Sequence, residues 1–210
     1  MGPHQGQPVR TAGAALKEAR AAMVMIHGRG GRAEDILTLV PMLDREDFVY
    51  LAPQAADNTW YPYSFLAPIH QNEPGITSGM QVIRDLLDEI AAAGIPAERT
   101  MLLGFSQGAC LSLEFSARHA RRYGGIACLS GGLIGPDGTP RDYPGSMDAT
   151  PVFLGCSDVD PHIPKERVEL SAKVMGELGA DVTMRIYPGL GHVVNEDERE
   201  QVRSMMAAIS

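Results

Sequence analysis

Short apolar runs alternate with longer amphipathic stretches along almost the whole chain, and this alternation restricts the fold more than any other feature. Residues 21–27 (AAMVMIH) are a continuous apolar run ending at a glycine, as expected of a strand covered on both faces. Residues 33–43 carry Ile36, Leu37, Leu39, Val40 and Leu43 at helical spacing, and 48–52 predict the next strand, stopped by Pro53. A long amphipathic helix is predicted over 73–93, ended by Gly94 and Pro96. Further strands are predicted at 100–104, 125–130, 151–155 and 181–187, with helices at 107–121, 165–178 and 196–209. Such a series implies an α/β fold with a mostly parallel central sheet, helices on both faces and right-handed crossovers. Residues 131–150 are rich in Gly and Pro and read as a surface loop. No repeat or linker interrupts the pattern, so 21–210 are expected to form a single domain. Residues 1–20 read as an N-terminal extension, with 9–11 a candidate antiparallel edge strand.

A chain of 210 residues is long enough to build such a sheet and cover it. Its net charge of −8 argues against nucleic acid or an anionic membrane surface as partner. No apolar run is long enough to span a bilayer, and the polar residues 1–11 lack a secretory signal, which points to the cytoplasm. Cys110, Cys128 and Cys156 each sit in an apolar segment with no paired spacing. They are expected as reduced, small core residues.

The most specific motif is Gly104-Phe105-Ser106-Gln107-Gly108, preceded by the apolar run MLL and followed by a helical pattern. That is the strand–turn–helix context in which G-x-S-x-G exposes a serine on a sharp bend. Small residues at both ends make room for the bend, and the helix N-terminus offers partial positive charge to a developing oxyanion. An ordinary capping serine is the competing reading.

A serine hydroxyl needs a base. The last predicted strand runs into Pro188-Gly189-Leu190-Gly191-His192, which places an imidazole at the carboxyl end of the sheet. His192 alone fits both the Ser–acid–His chain order and this position. His4 lies in the polar tail, His70 in an aromatic loop, His119 late in a helix, and His27 in a separate motif. For the acid that orients the base, Asp158 and Asp160 compete. Asp160 is preferred because Pro161 holds it extended; Asp158 could instead bond the loop backbone as an Asx turn.

His27-Gly28-Arg29-Gly30-Gly31 follows the first apolar run. In this context the backbone N–H groups of Arg29 and Gln107 are the expected oxyanion donors. A phosphate-binding loop is the rival, but neither G-x-x-x-x-G-K-[ST] nor G-x-G-x-x-G is present. The Arg29 side chain has two readings: exposure to solvent, or contact with a substrate carboxylate. Trp60, Tyr61, Tyr63 and Phe65 crowd one loop. They are expected to bind substrate as a pocket wall, with a satellite core as the alternative.

Taken in order, HGRGG at 27–31, GFSQG at 104–108, DVDPHIP at 158–164 and GLGH at 189–192 resemble the phospholipase/carboxylesterase family. That family is related to acyl-protein thioesterases and, more remotely, to dienelactone hydrolases. The resemblance runs from about Ala21 to the C-terminus. It implies an α/β-hydrolase core without a large cap domain and no metal or organic cofactor. It also implies hydrolysis of esters or thioesters, and it allows a homodimer. Ser106, Asp160 and His192 fall on the family's triad positions, and Arg29 and Gln107 on its oxyanion positions. Members commonly carry an apolar residue after HG; Arg29 departs from that, which weighs against lipid-like or acyl-protein substrates.

The expected function is therefore a serine carboxylesterase acting on small to medium small-molecule esters, with no stable membrane association. Thioesterase, acyl-protein deacylase or lysophospholipase activity with the same triad is the alternative. A non-catalytic binding module is disfavoured by the intact triad. A metallohydrolase built from Asp158, Asp160 and His162 lacks a recognised ligand spacing.

Overall fold

The computed structural model describes residues 2–209. Seven strands form one sheet: β1 (Val9–Gly13), β2 (Ala21–Ile26), β3 (Phe48–Pro53), β4 (Thr100–Phe105), β5 (Gly125–Leu129), β6 (Pro151–Ser157) and β7 (Asp181–Tyr187). Their spatial order is β1-β3-β2-β4-β5-β6-β7. β1 runs antiparallel to β3, with Val9 opposite Pro53 and Gly13 opposite Val49, and the other pairs are parallel. The edge strand expected at 9–11 is thus present and two residues longer, so part of the N-terminal extension belongs to the sheet.

The apolar runs are continuous because both faces are covered. Along β2, Ala22, Val24 and Ile26 join one core, and Ala21, Met23 and Met25 join the other. The first core receives α3 (Gly75–Ala92), α4 (Gln107–Arg118) and α5 (Lys165–Glu177). The second receives α1 (Ala33–Leu37), α2 (Val40–Leu43) and α6 (Glu196–Ala207). The single helix expected over 33–43 is broken in two. Pro41 near the start of α2 has no N–H to give, and its ring opposes the carbonyl four residues back, at Leu37.

The loop over 131–150 is less superficial than its composition suggests. Leu133, Ile134 and Met147 are fully buried. The buried Glu114 carboxylate accepts from the Ile134 N–H at 3.0 Å and the Tyr143 hydroxyl at 3.0 Å, and Arg167 donates to the Leu133 carbonyl at 2.9 Å. The polar tail also turns inward: His4 is buried, with Nε2 donating to the Trp60 carbonyl at 2.9 Å and Nδ1 accepting from the Ala56 N–H at 3.1 Å. Burial keeps this ring neutral by lowering its pKa. The three cysteines are free and buried. Among the described residues no helix is long and apolar enough to cross a membrane.

The chain changes direction across the sheet between β2 and β4, since β3 lies on one side of β2 and β4 on the other. In open parallel sheets the crevice beyond the carboxyl ends of the strands at such a point is where ligands bind.

α6 starts with a capping box: Asn195 Oδ1 accepts from the Glu198 N–H and Glu198 Oε2 from the Asn195 N–H, both at 2.9 Å. The Glu198 side chain is fully buried, and its Oε1 has no partner. It lies where a Cβ on Gly155 of β6 would fall, 2.3 Å away. Burial raises this carboxyl to about 7. A folded-state pKa above the unfolded value means that the folded chain holds the proton more tightly. The resulting stability is complete below the ordinary carboxylate pKa and declines as pH rises towards 7. Glu198→Gln keeps the acceptor for Asn195 and cannot ionise. It should therefore unfold at a higher temperature than the wild type at pH 8, with the gap closing by pH 5. A gap of equal size at both pH values in thermal melts would contradict this.

Candidate active site

Ser106 sits between β4 and α4 with φ 56° and ψ −119°, a conformation an L residue adopts only at a cost of about 1–3 kcal/mol. The surrounding packing holds it there. The Ser106 N–H donates to the Leu129 carbonyl at 2.9 Å, and its own carbonyl accepts from the Cys110 N–H at 3.0 Å. The glycines of the motif are required by contact. A Cβ on Gly104 would stand 2.3 Å from the Gly108 carbonyl oxygen, and one on Gly108 would stand 2.2 Å from that of Ile26. α4 can start this close to β2 only because both positions lack a side chain.

His192, on the loop after β7, places Nε2 2.9 Å from Ser106 Oγ. Its Nδ1 lies 2.7 Å from Asp160 Oδ2. The Asp160 carboxyl is inaccessible to solvent, and its Oδ1 accepts from the N–H groups of His162 at 2.8 Å and Ile163 at 3.0 Å. Burial alone would raise the Asp160 pKa; the bond from His192 and the two backbone donors outweigh it and leave the carboxyl below its ordinary value. An ionised Asp160 can only accept, so Nδ1 carries the proton and the neutral ring offers Nε2 to the serine hydroxyl. Asp158 faces elsewhere: its Oδ1 accepts from the Gly189 N–H at 2.8 Å, while Ser157 Oγ accepts from the Gly191 N–H at 3.0 Å. These two bonds tie the histidine loop to the acid loop. The two carboxylates thus have separate partners, and among the described residues no group of His, Cys, Asp and Glu side chains is arranged to hold a metal ion.

The Phe105 and His162 rings flank His192, each with its centroid 4.9 Å away. The sequence offers His162 only as a metal ligand. Its place beside the imidazole follows from the turn after Pro161, which residue spacing does not reveal.

The backbone N–H groups of Arg29 and Gln107 have no acceptor among the described residues. Gln107 is the first residue of α4, so its N–H is one of the donors a helix leaves free. Its side chain has a part the sequence did not suggest. Oε1 accepts from the Trp60 N–H at 2.8 Å, and Nε2 donates to the Tyr61 carbonyl at 2.8 Å. On the other side, the Gly30 N–H donates to the Asn58 carbonyl at 2.7 Å. The Arg29 guanidinium donates to Thr59 Oγ1, the Pro62 carbonyl and the Tyr63 carbonyl at 3.0, 2.9 and 2.6 Å. The aromatic loop is thereby sewn to both residues that carry the free N–H groups. His27 supports it from below, with Nδ1 donating to the Gly28 carbonyl at 2.8 Å and Nε2 accepting from the Ala55 N–H at 3.1 Å.

A cavity of about 650 Å³ opens over Ser106 and His192. Tyr61, Tyr63 and Phe65 line it. Trp60 does not: it is fully buried behind the wall, with Nε1 donating to the His27 carbonyl at 2.9 Å. An indole buried with its N–H satisfied serves packing, so this residue matches the satellite-core alternative. Cys110 and Ile163 also line the cavity. Burial pushes the Cys110 thiol up to about 12, so it stays protonated.

A family model described as Phospholipase/Carboxylesterase matches residues 13–210. An acyl-protein thioesterase 1 from Aspergillus fumigatus is 30% identical over 223 aligned positions, covering 93% of this chain and 90% of the relative. One of the same name from Gibberella zeae is 34% identical over 140 positions, covering 65% of this chain and 59% of the relative. Among solved structures, a phospholipase/carboxylesterase from Dyadobacter fermentans superposes with a TM-score of 0.93 at 42% identity, covering 99% of both chains. With its mostly parallel seven-stranded sheet and no large cap, the chain belongs to the phospholipase/carboxylesterase family of α/β-hydrolases, serine hydrolases that act on ester bonds.

Proposed function

We propose that this protein is a carboxylesterase that cleaves small to medium carboxylic esters through an acyl-enzyme, with Ser106 as nucleophile, His192 as base and Asp160 as the acid that orients it. One observation carries the reading: a continuous chain of hydrogen bonds, 2.9 Å from Ser106 Oγ to His192 Nε2 and 2.7 Å from His192 Nδ1 to Asp160 Oδ2. His192 takes the hydroxyl proton as Oγ attacks the acyl carbon. Asp160 stabilises the imidazolium that forms. The tetrahedral oxyanion is received by the backbone N–H groups of Arg29 and Gln107, which are free of other acceptors and fixed before the substrate arrives. The imidazolium then protonates the departing alkoxide, and a water activated by the same base releases the acid. The cavity volume and its wall of Tyr61, Tyr63 and Phe65 suit compact acyl and alcohol groups.

The name of the two fungal relatives favours a second reading, in which the same serine opens a thioester. Rates on an oxygen ester and a sulfur ester of one acyl group, measured side by side, separate the two.

Ser106→Ala and His192→Ala should each lower kcat by about a millionfold or to background, and Asp160→Asn by about 10⁴-fold through the wrong imidazole tautomer. Asp158→Asn keeps an acceptor for Gly189 and should retain activity within about tenfold. Steady-state kinetics on a short-chain ester read all four. Near wild-type turnover in Asp160→Asn, or a collapse confined to Asp158→Asn, would contradict the assignment.

A further inference from the structure

We propose that Arg29 makes the pocket selective for esters that carry a carboxylate close to the scissile bond. This rests on the esterase reading and deepens it by naming a substrate class.

The charge balance of the cavity is the first observation. The chain as a whole is acidic, at −8, yet no Asp or Glu lines the cavity over Ser106. Arg29 is the one Lys or Arg side chain that does. Among the described residues no carboxylate pairs with it. Its three acceptors, Thr59 Oγ1 and the Pro62 and Tyr63 carbonyls, are uncharged. They orient the guanidinium and leave it without a carboxylate partner.

Donor geometry is the second. A guanidinium has five N–H donors. Two are on Nη1, to Thr59 and Pro62, and one on Nη2 goes to Tyr63. The Nε–H and the second Nη2–H remain. Both are available to a carboxylate that approaches the guanidinium. The Tyr61 ring, its centroid 5.8 Å from the guanidinium carbon, packs against the group.

Position is the third. The backbone N–H of the same residue has no acceptor among the described residues, and Arg29 lines the same cavity as Ser106. With the proposed oxyanion donor and the guanidinium on one residue, the substrate that suits both carries its carboxylate a few bonds from the ester carbon, as in a half-ester of a short dicarboxylic acid. Arg29 is solvent-exposed, so pairing with an anionic substrate group gains what a surface ion pair gains, and salt screens it.

Arg29 also clamps the aromatic loop, and losing the clamp would slow every substrate alike. The test is therefore a ratio. Monoethyl succinate and its neutral isostere ethyl isohexanoate are assayed by pH-stat on the wild type, Arg29→Lys and Arg29→Met. The wild type should favour the charged ester in kcat/KM. The charged-to-neutral ratio should fall about tenfold in Arg29→Met and by less in Arg29→Lys, and the wild-type preference should shrink as salt is raised. A ratio unchanged in Arg29→Met, with both rates falling together, would leave Arg29 a loop clamp only and overturn the proposal. Hydrolysis of neither ester by the wild type would remove the esterase reading beneath it, and the proposal with it.

Discussion

The bend at Ser106 is the constraint on which the rest of the molecule depends. Here the hydroxyl stands between β4 and α4, where the chain reverses within one residue held at a positive φ. The unfavourable backbone persists because α4 packs onto β4 and β2 so closely that neither Gly104 nor Gly108 tolerates a Cβ. Apolar burial on both faces of the sheet supplies the free energy that sustains this contact. Tight packing and the half-buried Ser106 at the bend are two aspects of one arrangement.

From that bend the site is assembled by loops that share a rim. The histidine loop is tied to the acid loop through Asp158 and Ser157, so His192 reaches Ser106 without needing a rigid element of its own. The aromatic loop is tied through Gln107 on one side and Arg29 and Gly30 on the other. The wall of the cavity and the two free N–H groups are therefore parts of one hydrogen-bonded unit. A change in the wall is transmitted to the position of those donors, and loops fixed in this way contribute preorganisation as well as shape.

Much of this was legible in the sequence because buried parallel strands read as uninterrupted apolar runs, and because a serine elbow requires glycine on both sides. Ser106, His192 and Asp160 meet in space as their order and strand ends suggested. What stayed hidden concerns direction. A loop has no periodicity, so nothing in 58–66 distinguishes Trp60, which turns into the core, from Tyr61 and Phe65, which face the cavity. The His4 imidazole lies in a polar tail, and only the fold brings it under Trp60. The apolar spacing of 33–43 continues through Pro41, so periodicity concealed a break that the missing N–H imposes. The Gln107 side chain was unreadable because its partners lie 46 and 47 residues away on the main chain of another loop.

A tetrahedral centre on Ser106 should direct its oxygen to the free N–H groups of Arg29 and Gln107. A crystal structure of the protein after reaction with a small alkyl fluorophosphonate tests this directly. The expected adduct has phosphorus bonded to Ser106 Oγ, with the phosphoryl oxygen within about 3.2 Å of both nitrogens. An adduct on any other residue, or one on Ser106 whose oxygen points to solvent with neither nitrogen in reach, would contradict it.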